Sequence, residues 1–252
     1  MIRKDISITR RQTLAGLGAT TALTLSGCAS IPRPEGIAQA QTIGAERLLE
    51  VVAYNLLEHE PSRATTLGVD TGRYAYLRGK LEDQSPEGQQ AYANTLRQDL
   101  ARVRAFPKEG LDSTNRTNLE VVESAYELAL DGFALPYGDT PVGSWRTAPY
   151  VVIQNVGGYL DYPRAMSSEQ PVKTAQDVDY YLSRLSEIPA HLNGELERVK
   201  EARAFGVVPP DFLLEKTAGQ LDLTVKSAGS GDLFVRDFEK LLADAGLPDE
   251  AL

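Results

Sequence analysis

The chain has 252 residues, a net charge of −9 and a hydrophobic fraction of 42%. This composition is typical of a folded globular protein rather than of a disordered or membrane-spanning chain. Residues 1–27 carry a charge of +3, which leaves about −12 for the remainder, and Lys and Arg do not cluster after that segment. A surface this acidic repels phosphate backbones, so we expect no nucleic-acid partner.

The first 28 residues predict an export signal that ends in a lipoprotein cleavage site. Arg10 and Arg11 lie in a segment, TRRQTL, that resembles the twin-arginine export motif. The apolar stretch that follows is shorter than the roughly 20 residues of a membrane-spanning helix, which favours a signal peptide. The next segment, LSGC, resembles a lipobox and ends in Cys28, the only cysteine of the chain. We therefore expect twin-arginine export, acylation of Cys28 and attachment to a lipid membrane.

The residues after this cysteine suggest where the mature protein resides. Ala29 and Ser30 stand where inner-membrane lipoproteins often carry Asp. This favours the outer membrane, with the protein on its periplasmic side. Residues 29–36 contain two prolines and predict a short tether. The alternative is an ordinary cleaved signal in which the cysteine occurs by chance.

Apolar residues recur at helical spacing after the tether, which predicts an all-α region, or nearly so, over residues 37–252. The first helix should span residues 37–58. Ser85 and Ser113 are predicted to cap two further helices, and Thr174 should form a capping box with Asp177.

Three more helix boundaries follow from proline and glycine. Pro189 should kink the long helix that begins after Thr174. Gly206 should end that helix, and Pro209, Pro210 and Asp211 should begin the next one. A last helix is expected over residues 232–245, closed by the glycine that follows.

Residues 132–171 interrupt the helical pattern with many Gly, Pro and aromatic residues. We predict a long, ordered loop region here. The apolar run at residues 150–153 fits either a strand or a buried helical turn. Trp145, Tyr159 and Tyr162 either pack this region or line the wall of a cleft.

The sequence does not contain a complete catalytic or metal-binding motif. His59 and Glu60 begin like the zinc-protease signature HExxH, but Arg63 occupies the position of the second histidine. His191 and Glu195 are four residues apart on a predicted helix, so they either share a ligand or form an ordinary solvated or core-edge pair. We therefore assign no catalytic, cofactor-binding or metal-binding residue.

Several blocks together resemble the DUF885 family. The first is EPSRATTLGV at residues 60–69, and the second is QNVGGYLDYPRAM at residues 154–166, followed by DVDYYLSRLSEIP at 177–189. The third, EARAFGVVP at residues 201–209, has the Gly and Pro with which the family ends this long helix.

The resemblance implies a largely helical protein similar to zinc metallopeptidases. Family members carry their HExxH-type motif in a C-terminal half, so the resemblance implies that residues 37–252 are the non-catalytic N-terminal part of such a protein. It implies zinc, and a peptide substrate, only together with that C-terminal half. The alternative is a complete, non-catalytic periplasmic lipoprotein that binds a partner or ligand.

Overall fold

The structure is a computed structural model that describes residues 35–140, 142–143, 148–231 and 233–247. The predicted export motif with Arg10 and Arg11, the predicted lipidation site Cys28, and Trp145 lie outside these ranges. Within the described ranges, none of the helices has the length and apolar character needed to span a bilayer.

All regular secondary structure in the described residues is helical, which confirms the predicted all-α class. The helices are α1 Glu35–His59, α2 Pro61–Thr66, a 3₁₀ helix Gly72–Gly79, α3 Pro86–Ala105, α4 Ser113–Phe133, α5 Gly158–Ser168, α6 Ala175–Ala204, α7 Asp211–Gly229 and α8 Val235–Ala245.

The N-terminal caps follow the sequence at two helices and differ at a third. The Ser85 hydroxyl accepts a hydrogen bond from the Gly88 N–H at the start of α3. Thr174 and Asp177 form the predicted capping box of α6. The prediction for Ser113 was wrong by one position, because the Asp112 side chain caps α4 and Ser113 is its first residue. Ser and Asp are both favourable N-cap residues. The backbone places the Asp112 carboxylate next to the free N–H groups in the first turn of α4.

Two glycines end helices as predicted. Gly206 and Gly246 have φ values of 79° and 64°, a left-handed backbone conformation that glycine adopts without a steric cost. The last helix begins at Val235, three residues later than expected, since Phe234 has a φ of 71° and cannot belong to it. α6 continues through Pro189 as a single helix from Ala175 to Ala204.

The region predicted to be irregular, residues 132–171, contains the helix α5. The proline and glycine content of this region, including Pro163 inside α5, had indicated a loop rather than a helix. The apolar run at residues 150–153 is neither a strand nor a helical turn. It leads into a tight turn in which Ile153 and Val156 exchange backbone hydrogen bonds of 2.9 and 3.1 Å.

Two of the apolar clusters account for most of the packing. The first joins α1, α3 and α4 and contains the fully buried Leu96 and Leu119. The second joins α5, α6 and α8, where Tyr181 stacks on Phe238. The apolar stripes of these helices thus account for the core, as expected for amphipathic helices.

A buried arginine connects α6 to the segment between α2 and α3. The Arg184 guanidinium donates hydrogen bonds to the carbonyl oxygens of Lys80 and Leu77, at 2.9 and 2.8 Å, and to the Thr65 hydroxyl at 3.0 Å. It also bonds the Gln170 side chain. Because only 3% of Arg184 is exposed, these acceptors replace the water that the cation has lost.

Candidate functional site: an acidic cleft

Two adjoining cavities of about 440 and 250 Å³ lie beside α2, α3, α5 and α6 and share Glu82, Gln84 and Asp139 as lining residues. We call them together the acidic cleft, because carboxylates outnumber cations among the charged lining residues. The carboxylates are Glu60, Glu82, Asp83, Asp139, Asp161, Glu169 and Glu195, and the arginines are Arg63 and Arg164.

Glu60 anchors the larger cavity. It lies in the junction between α1 and α2, where Pro61 begins the second helix. One carboxylate oxygen accepts a hydrogen bond of 2.5 Å from the Tyr92 hydroxyl of α3, and the other lies 2.8 Å from Arg63 Nη1. Arg63 also donates to the Val142 carbonyl oxygen at 2.9 Å, so this carboxylate is held from two sides.

Glu82 forms part of the wall between the two cavities. Its two carboxylate oxygens accept hydrogen bonds from the Ser62 N–H, at 2.9 Å, and from the Ser62 hydroxyl, at 3.0 Å. Asp139 lies on the same wall, where Arg198 Nη2 of α6 donates to its carboxylate at 3.0 Å. Both carboxylates are therefore oriented by neighbours on other elements.

Tyr162, His191 and Glu195 form a buried polar group at the smaller cavity. His191 Nδ1 lies 2.9 Å from the Glu82 carbonyl oxygen, which can only accept, so Nδ1 carries the proton. The Tyr162 hydroxyl lies within hydrogen-bond distance of both ring nitrogens, Nδ1 and Nε2, and its distance to Nε2 is 2.8 Å. Glu195 Oε1 accepts a hydrogen bond of 2.8 Å from the Gly158 N–H. It thus pairs one of the backbone N–H groups that have no partner within the first turn of α5.

Burial determines the protonation of the aromatic groups in the cleft. Burial, followed by the nearby Glu60 carboxylate, raises the pKa of Tyr92 far above its ordinary value. Burial and then Glu82 do the same to the pKa of Tyr162. Both phenols stay protonated at neutral pH and serve as hydrogen-bond donors. Burial also lowers the pKa of His59, whose Nε2 lies 2.9 Å from the Thr95 hydroxyl.

The structure separates the aromatic residues that the sequence proposed for a cleft wall. Tyr162 lines the smaller cavity, as do Asp161 and Arg164 of the same helix. Tyr159 is 5% exposed, and its hydroxyl donates to the Ile153 carbonyl oxygen and to Gln220 Oε1. Tyr159 contacts Gln220 and Tyr162 contacts His191, both far away in sequence, so composition alone does not distinguish the two roles.

The residues that the structure describes do not fit a zinc ion. No group of three or more His, Cys, Asp or Glu side chains suited to a metal occurs in the part of the chain that the structure describes. His191 Nε2 and Glu195 Oε1 are 3.5 Å apart, and both side chains already have other hydrogen-bond partners. We therefore derive no metal-dependent step from these residues.

Sequence reasoning missed Glu60, Glu82 and Tyr92 as parts of a common site. Glu60 was considered only as part of an incomplete zinc motif. The ring of Tyr92 packs in the first apolar cluster, whereas its hydroxyl bonds Glu60. Tyr92 and Glu60 are 32 positions apart, so no local pattern in the sequence reveals their contact.

The fold and the cleft define an all-α protein with a polar, carboxylate-rich groove. A family model described as "Bacterial protein of unknown function (DUF885)" matches residues 61–251, and the chain belongs to that family.

A solved structure, described as "the putative lipoprotein from Colwellia psychrerythraea", has a similar fold. Its TM-score is 0.72 at 18% sequence identity, and the match covers 84% of this chain and 36% of that chain. The chain thus spans about a third of that structure. The comparison with curated proteins found no significant match.

Proposed function

We propose that this chain forms the substrate-cleft wall of an exported, lipid-anchored protein that resembles zinc-dependent peptidases. The observation that carries the proposal is the acidic cleft, because two of the family-like blocks meet there. Ser62 and Glu60 come from the block at residues 60–69, and Gly158 and Tyr162 come from the block at residues 154–166.

The chemistry of the cleft suits a peptide. Backbone N–H groups and cationic peptide groups require acceptors and negative charge, which Glu60, Glu82 and Asp139 supply in fixed orientations. The neutral phenols of Tyr92 and Tyr162 bond Glu60 and His191 and so hold these side chains in place at the cleft. The role of this chain is to bind and orient the substrate, whereas the zinc ligands and the general base would belong to polypeptide beyond these 252 residues.

A peptidase assay tests whether these 252 residues bind substrate without cleaving it. The chain by itself, supplied with zinc, is expected to cleave a mixed peptide library no faster than buffer does. Chelator-sensitive turnover by the 252 residues alone would contradict the proposal.

In a longer polypeptide with activity, Glu82→Gln should raise KM more than it lowers kcat, since Glu82 contributes to binding.

Membrane attachment is a separate part of the proposal. Wild-type chain expressed in a bacterium with radiolabelled palmitate is expected to carry label and to sediment with membranes. Cys28→Ser should lose both properties, and Arg10→Lys combined with Arg11→Lys should retain the precursor in the cytoplasm. Label that persists in Cys28→Ser would exclude this lipid anchor.

A second candidate function is a non-catalytic binding lipoprotein. It is favoured by the three apolar clusters of the described residues, since helices of this chain bury them against one another. Peptide binding by the chain, measured by calorimetry, together with an inactive longer polypeptide, would select this function over the first.

A further inference from the structure

A third cavity adjoins the acidic cleft and differs from it in chemistry. Its volume is about 460 Å³, and it lies between α3, the segment that follows α4, and the last turns of α6. Gln89 and Thr140 line both this cavity and the larger cavity of the cleft, and Val151 lines both this cavity and the smaller one. A ligand that enters the cleft can therefore extend into the third cavity, which we call the aromatic cavity.

Apolar and aromatic side chains form most of the walls of the aromatic cavity, among them Ala93, Phe133, Leu135, Pro136, Tyr137 and Phe205. Leu135, Tyr137 and Phe205 are 52, 37 and 63% exposed, so their apolar surface is open to a ligand. The charged lining residues are Arg198 and Glu201, one of each sign, whereas seven carboxylates and two arginines line the cleft. The aromatic cavity thus offers apolar contact directly beside a negatively charged surface.

Arg198 fixes the boundary between the aromatic cavity and the cleft. Only 8% of it is exposed, and its Nη2 donates hydrogen bonds to the Gly138 carbonyl oxygen at 2.7 Å and to the Asp139 carboxylate at 3.0 Å. Its Nη1 donates to the side chain of Gln84, which lines the cleft. Because the Asp139 carboxylate offsets the guanidinium charge, the aromatic cavity does not select an anion.

We propose that the aromatic cavity binds an aromatic side chain of the peptide substrate that occupies the acidic cleft. This inference rests on the proposed function and names the peptides that the cleft selects. Cavities of several hundred Å³ whose walls are mainly apolar and aromatic, with a few polar groups, are typical ligand sites. An aromatic side chain suits such walls because it buries a large apolar area and packs favourably against other rings.

The experiment uses the full chain and three pentapeptides with blocked termini, whose affinities are measured by calorimetry. The peptides are Lys-Ala-Phe-Ala-Lys, Lys-Ala-Ala-Ala-Lys and Glu-Ala-Phe-Ala-Glu. Residues two positions apart face the same side of an extended peptide, so the phenylalanine and a lysine can enter neighbouring cavities in either chain direction. We expect the first peptide to bind about tenfold more tightly than the second, through apolar burial, and more tightly than the third, through charge.

Two variants of the cavity wall test where the phenylalanine binds. Ala204→Trp should abolish the preference for the first peptide over the second, because Ala204 lines the aromatic cavity and the indole would fill it. Ala204 is the exposed last residue of α6, so the fold can accept a larger side chain there. Leu135→Asn should reduce the same preference, since it replaces an apolar wall with a polar one.

Ala243→Trp is the matched control. Ala243 is exposed in the last turn of α8 and lines none of the three cavities. This variant should bind the three peptides as the wild type does. Circular dichroism verifies that all variants keep the wild-type helix content.

Three results would overturn this inference: equal affinities of the first two peptides for the wild type, a preference that persists in Ala204→Trp, or the same loss of preference in Ala243→Trp. A protein that distinguishes lysine from glutamate peptides, but not phenylalanine from alanine, would refute the aromatic cavity and leave the proposed function intact. A preference for phenylalanine with equal binding of lysine and glutamate peptides would refute the acidic cleft of the proposed function and leave the aromatic cavity. The absence of binding by all three peptides would overturn both.

Discussion

The consecutive helices α6 and α7 differ in how much of each is buried. α6 buries ten residues, among them Arg184, His191 and Glu195, whereas α7 buries only Thr217. Both begin at signals that the sequence contains, and both carry apolar residues at helical spacing. The comparison shows that local sequence sets where a helix forms, while the surrounding elements decide whether its apolar side chains have partners. Three stability predictions test this contrast, and a fourth concerns the pH dependence of a half-buried histidine on α1.

Arg184→Met should lower the free energy of unfolding by on the order of 3 kcal/mol, because several buried acceptors lose their donor. Urea denaturation followed by circular dichroism measures the change. Arg203→Met is the control on the same helix, since Arg203 is exposed, and it should stay within about 0.5 kcal/mol of wild type. Equal losses for the two variants would mean that the guanidinium bonds do not stabilise the junction.

The same substitution at two helical glycines should have opposite signs. A Cβ at Gly194 of α6 would lie 2.5 Å from the Ser85 backbone nitrogen, so Gly194→Ala should cost about 1–3 kcal/mol. A Cβ at Gly219 of α7 meets nothing within 4 Å. Gly219→Ala should therefore stabilise by up to about 1 kcal/mol, through helix propensity. Thermal melts measure the change in melting temperature for each variant. Changes of the same sign would contradict the prediction.

Thr174→Ala should destabilise the protein by about 1 kcal/mol, because it removes half of the capping box of α6. Thr117→Ala, at an exposed position within α4, is the matched control and should change stability by less than about 0.5 kcal/mol. Hydrogen exchange should locate the loss in the first turn of α6. Faster exchange confined to α7 would contradict the assignment.

His59 should contribute a small pH dependence. Its pKa in the folded state is lowered from 6.5 by burial, so the unfolded state binds the proton more readily. The stability contributed by neutral His59 is therefore fully present above pH 6.5 and is lost as the pH falls towards the folded-state pKa. His59→Asn should be closer to wild type in stability at pH 5.5 than at pH 7.5, as measured by urea denaturation. A difference independent of pH would refute this.

Much of the fold could be predicted from local signals, but the cleft could not. The caps at Ser85 and Thr174 and the glycine stops at Gly206 and Gly246 act within a few residues, so they appear in the sequence directly. α5 was missed because Pro163 and neighbouring glycines resemble loop composition. The cap of α4 shows the same limit. Ser113 was predicted as the N-cap, but Asp112 has that role, and only the backbone geometry distinguishes these two adjacent residues of similar capping propensity.

The helical class, most helix boundaries and the family could be read from the amino-acid sequence, because these depend on spacing and on short runs of residues. The prediction of a lipid-anchored, exported protein also comes from the sequence, through Cys28 and the segment before it. The contact of Glu60 with Tyr92 and the hydrogen bond between Tyr162 and His191 are visible only in the folded structure. Those contacts join residues far apart in the chain, so their formation depends on how whole helices pack rather than on any local pattern.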